Sequence, residues 1–205
     1  MGSGRAVIRR TKDEGRRTSN SCTHALMQFC TLFSVLCALA LSGCGYTTKT
    51  LLPAHVKNIY IQNFKNSIDL TEEYSNKRPY KLYKAGLENE ITRAIGDRFI
   101  LDGNLKVVKN AEEADSVLSG ELLEYVREPL RYDKDDNVTE FRVRVVASAK
   151  FLDKKTNKAI WQSGGLAGES SQRTEGTLVK TEDTARAEAV EDFSRRVVEK
   201  TIEVW

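Results

Sequence analysis

Between Val138 and Asp153 the chain alternates in character with every residue. Phe141, Val143, Val145, Ala147, Ala149 and Phe151 share one parity, and Arg142, Arg144, Val146, Ser148 and Lys150 share the other. Successive side chains of an extended strand point to opposite faces, so the pattern predicts a strand with one core face and one basic face. Elsewhere the period changes. From Tyr80, the residues Leu87, Ile91, Ile95 and Phe99 recur four apart with charged residues between them, until Gly103-Asn104 breaks the run, which predicts an amphipathic helix. A second helix is predicted from about Thr184 to Trp205. It carries Ala189, Val190, Phe193, Val197, Val198 and Ile202 on or near one stripe, and Glu182 and Asp183 beside its positive N-terminus.

The remaining segments read as strands and turns. His55 to Asn66 is rich in β-branched and aromatic residues and predicts a first strand, followed by a polar loop to Pro79. A short "LKVV" follows the first helix, and Ala114 to Asp133 predicts a long strand with Pro129 near its end. Asp133 to Asn137 and the "DKKTNK" run have turn chemistry, and the strand from Ala159 to Gln172 carries glycines that signal a bulge or a close approach. The order is strand, helix, three hairpin-connected strands, helix. Two amphipathic helices sharing one apolar sheet face predict an α/β (α+β) two-layer sandwich: a mixed four-stranded sheet with both helices packed on one face. A right-handed crossover places the first strand parallel to a neighbour. The other sheet face is left for water, a partner or a ligand.

The N-terminal part differs from all of this. Ala25 to Gly43 carries no charge and follows a basic start, the pattern of an export signal. Some 20 apolar residues also suit an uncleaved membrane anchor, but small residues stand where a signal peptidase requires them. The 205-residue chain has a net charge of +3, yet residues 1–43 hold six of its 32 basic and two of its 29 acidic residues. The rest is nearly neutral, which removes the support for a nucleic-acid partner. Cys22, Cys30 and Cys37 lie in the leader, and Cys44 has no later cysteine to pair with. The tetrad Leu41-Ser42-Gly43-Cys44 resembles the bacterial lipobox, in which lipid is attached to the cysteine sulfur before a dedicated peptidase cuts ahead of it. Several acyl chains, at roughly 0.8 kcal/mol for each buried CH₂, hold such a protein stably. Gly45, where Asp would signal retention at the inner membrane, points to the outer membrane, facing the periplasm. The expected organisation is a cleaved lipoprotein signal peptide over 1–43, a lipidated tether over 44–54 and a single sandwich domain over 55–205.

Catalytic and metal chemistry find little support. Downstream of Cys44 there is one histidine, His55, and no Ser/His/Asp set can be assembled around it. Asp133, Asp135 and Asn137 resemble the opening of a calcium loop, but Val138 stands where glycine is required and Arg144 where the bidentate Glu belongs, so a hairpin turn is the better reading. Gly164, Gly165 and Gly168 open no helix and form no phosphate loop. No catalytic residue, metal or cofactor is expected beyond the covalent lipid on Cys44. What stays is the strand face of Arg142, Arg144 and Lys150. It is either a solvated surface or a contact for an anionic lipid head group, whose phosphates suit Arg forks. Val146 and Trp205 equally mark a protein contact.

Taken in order, "CGY" at the lipid site, Leu52-Pro53, "VKNIYIQNFKN", "LENEITRAI", "ADSVLSGEL" and "VTEFRVRVVASAKFLDKKTNKAIWQ" give a chain that resembles the LptE family of lipopolysaccharide-assembly lipoproteins. The resemblance implies a sandwich of two helices on a four-stranded sheet. It also implies a non-enzymatic role inside the lumen of a large outer-membrane β-barrel, LptD, as a plug that assists delivery of lipopolysaccharide to the outer leaflet. The expected partners are that barrel, lipopolysaccharide and the membrane, with Arg142, Arg144 and Lys150 as candidate lipopolysaccharide contacts. A periplasm-facing lipoprotein that activates a peptidoglycan synthase is the alternative expectation.

Overall fold

The structure, a computed structural model, describes residues 52–68, 80–82 and 84–203. The leader, Cys44, most of the tether, most of the polar loop before the first helix, and Trp205 lie outside the described residues. In chain order the elements are β1 (Asn58–Ile61), β2 (Lys65–Asn66), α1 (Leu87–Asp102), β3 (Lys106–Val108), a short 3-10 turn (Ala111–Glu113), β4 (Ser116–Tyr132), β5 (Val138–Asp153), β6 (Lys158–Arg173) and α2 (Glu182–Ile202).

The two helices are stopped and started by specific chemistry. α1 ends where Gly103 adopts φ 77 and donates its N–H to the carbonyl of Phe99, the left-handed closure that glycine permits without steric cost. At the start of α2 the Thr181 hydroxyl accepts the Thr184 N–H at 3.1 Å, and Glu182 and Asp183 place negative charge in the first turn, at the positive end of the helix dipole. Leu87, Ile91, Ile95 and Phe99 are all fully buried, as their spacing requires.

Among the described residues the sheet has six strands rather than the expected four, in the order β3-β1-β4-β5-β6, with β2 also paired to β4. β1 is parallel to both β3 and β4, and the long strands β4, β5 and β6 form an antiparallel meander. The expected first strand, His55 to Asn66, divides into β1 and β2 because Phe64 turns into the core between them and its N–H bonds the Thr92 hydroxyl of α1 at 3.0 Å. The "LKVV" run forms the parallel edge strand β3. Strands of two or three residues are too short to show a period, so they fall below what pattern alone detects.

Both helices contribute to one hydrophobic core with one face of the sheet. Alternation along β5 holds: Val143, Val145, Ala147, Ala149 and Phe151 are buried. Gly168 of β6 has a distinct role. A Cβ there would lie 2.2 Å from the Ala189 carbonyl oxygen and 2.4 Å from the Phe193 nitrogen, so the backbone of α2 lies directly on the strand. At the far end of the same helix, the Trp161 indole donates to the Thr201 hydroxyl at 3.2 Å.

Candidate functional site

The outward face of the sheet has no covering layer among the described residues, and its charges are arranged in rows across the strands. Glu140, itself buried, lies 3.7 Å from both Arg131 of β4 and Arg173 of β6. Arg142 lies 3.6 Å from Glu128, its partner across β4, and Arg144 lies 3.9 Å from Glu169, its partner across β6. The expected basic face is therefore a lattice of opposite charges. β5 contributes Glu140, Arg142 and Arg144, and its neighbours contribute the opposite charge to each, Arg131 and Glu128 from β4 and Arg173 and Glu169 from β6. Half-exposed pairs of this kind stabilise by about 0–1 kcal/mol each and chiefly cancel the local field. The Arg144 Nε is buried without a hydrogen-bond partner.

Lys150 occupies a different place. It is six residues from Arg144, about 20 Å along a strand, so the three candidate cations do not form one site. It lines an open groove of about 380 Å³, where Ser119, Lys150 and Gln162 form one row across β4, β5 and β6. The groove owes its shape to two irregularities. Pairing shifts between Ala147 opposite Leu166 and Ala149 opposite Ser163, so Gly164 and Gly165 together face Ser148, the signature of a bulge. On the other side, the connection between β1 and β2 and the first residue of β2 bring Gln62, Asn63 and Lys65 alongside the early part of β4. The lining combines the two ammonium groups of Lys65 and Lys150 with amides, hydroxyls and one carboxylate, Glu121, which accepts from the Ser67 hydroxyl at 3.1 Å. Such a surface suits a phosphorylated or hydroxyl-rich head group, with ammonium donors for phosphate and amides for sugar hydroxyls. Sequence reasoning found Lys150 but not Lys65, Gln62 or Gln162. The Gly164-Gly165 pair was the available signal.

A second hollow of about 330 Å³ lies at the start of α2, beside Tyr125, Glu182, Asp183 and Arg186. It is built for cohesion. Arg186, nearly buried, reaches Glu90 of α1 at 3.4 Å and Asp183 of its own helix. The Tyr125 hydroxyl donates to Glu182 at 3.0 Å; burial first, and then that carboxylate, push the phenol up to about 12. Arg127 bonds Gln172 at 2.7 Å and stacks 3.5 Å over the Phe141 ring.

The turn Asp133 to Asn137 is a hairpin connection. Asp133 accepts from the side-chain amide and the backbone N–H of Asn137 and from the backbone N–H of Asp135, which hold its carboxyl below the usual range. Among the described residues no cluster of three or more His, Cys, Asp or Glu is arranged to hold a metal, and no helix is long and apolar enough to cross a membrane. His55 pairs with Asp153, and no hydroxyl or thiol nucleophile among the described residues hydrogen-bonds its ring.

The family model LptE, Lipopolysaccharide-assembly, matches residues 56–201, which is every element from β1 to the last turn of α2. The chain belongs to the LptE family. Among solved structures it is similar to the hypothetical protein CT253 from Chlamydia trachomatis, at 14% identity, with 71% of this chain and 95% of that chain covered and a TM-score of 0.47. It is also similar to the rare lipoprotein B from Shewanella oneidensis, at 14% identity, 72% and 98% coverage and a TM-score of 0.39. A third similar structure is the uncharacterized lipoprotein B from Nitrosomonas europaea, at 15% identity, 79% and 90% coverage and a TM-score of 0.42. No curated protein matches the chain.

Proposed function

We propose that this LptE-family chain is a non-enzymatic lipoprotein of lipopolysaccharide assembly, anchored through Cys44 on the periplasmic side of the outer membrane and lodged in the lumen of the LptD β-barrel. The observation that carries the reading is the uncovered sheet face, on which a groove joins Lys65 and Lys150 to a set of amides and hydroxyls. A plug needs such a face to meet the barrel wall and a glycolipid, and it needs no catalytic set. Lys150 with Lys65 is the proposed first contact for glycolipid phosphate. Arg142 and Arg144 are secondary contacts, because a phosphate there must compete with Glu128 and Glu169.

Purification of the matured chain in mild detergent should recover a large outer-membrane β-barrel and lipopolysaccharide together. Recovery of the chain alone would remove the barrel partnership. Recovery with a cell-wall synthase would replace it with the peptidoglycan reading.

A further inference from the structure

The end of the domain from which the tether leaves is fixed by specific contacts. Leu52 packs against the core, His55 holds Asp153 at the β5–β6 turn, and the Lys106 N–H bonds the Lys57 carbonyl at 2.9 Å, so the starts of β1 and β3 sit together. α1 terminates at this same end. Gly103, Asn104 and the buried Leu105 lead directly from its last turn into β3. That last turn carries two adjacent apolar residues in the open, Ile100 at 67% and Leu101 at 75% exposure. Phe99 faces the core, and successive helical residues rotate by about 100°, so Ile100 and Leu101 point away from it. An exposed Ile-Leu pair beside the exit of a tether calls for a partner surface.

The tether limits what that surface is. From Leu52 back to Cys44 is eight residues, which span at most about 29 Å fully extended. The opposite end of the domain, at the Asp133 to Asn137 turn, lies about 50 Å away along β5. A lipid on Cys44 thus holds the Ile100–Leu101 end, and not the other, within reach of the head groups.

We infer that this end is a bilayer-contacting surface, with Ile100 and Leu101 seated among the head groups of the leaflet that holds the anchor. The inference rests on lipid attachment at Cys44. Acyl chains alone fix distance but not orientation; a second, apolar contact on the domain fixes both. In the sequence around the pair Arg98 and Lys106 are equalled in number by Asp97 and Asp102, and at the adjoining β5–β6 turn Lys154 donates to the Ala111 carbonyl, so the proposed contact is an apolar one.

The test uses the full chain, matured with its lipid and reconstituted into phosphatidylcholine vesicles without any barrel. A polarity-sensitive fluorophore is attached at Leu101→Cys or, in a second sample, at Asp135→Cys. The expected result is emission at shorter wavelength, and quenching by brominated acyl chains, at position 101 only, unchanged by added salt. Protein that floats with vesicles while both probes emit as in water overturns the contact and leaves the anchor standing. A shift at position 101 that appears only after LptD is added assigns the pair to the barrel and overturns the bilayer contact. Protein that fails to float overturns the contact together with the anchor.

Discussion

The imidazole Nε2 of His55 lies 2.9 Å from the Asp153 Oδ2, joining the start of the domain to the β5–β6 turn across 98 positions of sequence. Asp153 is almost fully buried. Burial pushes its carboxyl up, but hydrogen bonds from His55, the Thr156 hydroxyl and the backbone of Lys155 and Thr156 outweigh that and bring it to about 2. A depressed carboxyl contributes stability that is present above its unfolded value of about 3.9 and is lost as pH falls toward the folded value. Urea unfolding midpoints should therefore decline between about pH 4 and pH 2. In Asp153→Asn the midpoint should be lower at pH 7, and this part of the decline should be absent. An identical pH profile in the variant would show that another carboxylate is responsible.

Gly168 and Gly164 lie four residues apart on β6 and predict opposite outcomes. Gly168→Ala drives a methyl into the α2 backbone, which has no flexible end to move aside, and should cost about 1–3 kcal/mol or more. Gly164→Ala meets nothing within 4 Å and should be neutral or stabilising by under about 1 kcal/mol. Denaturant melts of the two single variants decide the matter.

Tyr125 should be among the last tyrosines to ionise. Its phenol is raised to about 12, so the associated stability is intact below about pH 10 and is lost as pH rises through about 12. An absorbance titration should show one late-ionising tyrosine that disappears in Tyr125→Phe. Removing the hydroxyl and its bond to Glu182 should also cost about 1 kcal/mol in urea unfolding.

Charge reversal separates the two groups of cations on the outward face. Lys65→Glu with Lys150→Glu should weaken binding of purified lipopolysaccharide by about tenfold or more, with little change in stability, since both ammonium groups are exposed. Arg142→Glu sets two carboxylates opposite each other and should lower stability more than it lowers affinity. The reverse ranking in a binding titration would make the arginines the principal contacts.

What the sequence revealed and what it hid divide along a physical line. Leu87, Ile91, Ile95 and Phe99 declare a buried stripe because a helix repeats on its own, without reference to distant residues. Val143 through Phe151 declare a buried face for the same reason. The partners of Arg142 and Arg144, in contrast, come from strands 14 and 25 positions away in sequence (Glu128 and Glu169). Only the inter-strand register shows that they meet. Read alone, β5 looked basic; read with its neighbours, it is charge-matched. Lys65 was invisible as a site residue because its place depends on Phe64 turning inward and dividing the first strand in two.

That same Phe64 gives the groove an unusual floor. Gly120 and Ala149 line the groove, and a Cβ on Gly120 would lie 2.2 Å from the Phe64 ring and 2.3 Å from the Ser148 carbonyl oxygen. Phe64 in turn meets Phe193 of α2 edge to face, with ring centroids 6.3 Å apart. At Gly120 no side chain stands between the outer surface and the aromatic core, so the sheet there is a diaphragm one peptide thick. Behind it, the Phe64 and Phe193 rings form a continuous packed connection from the groove floor to the long C-terminal helix.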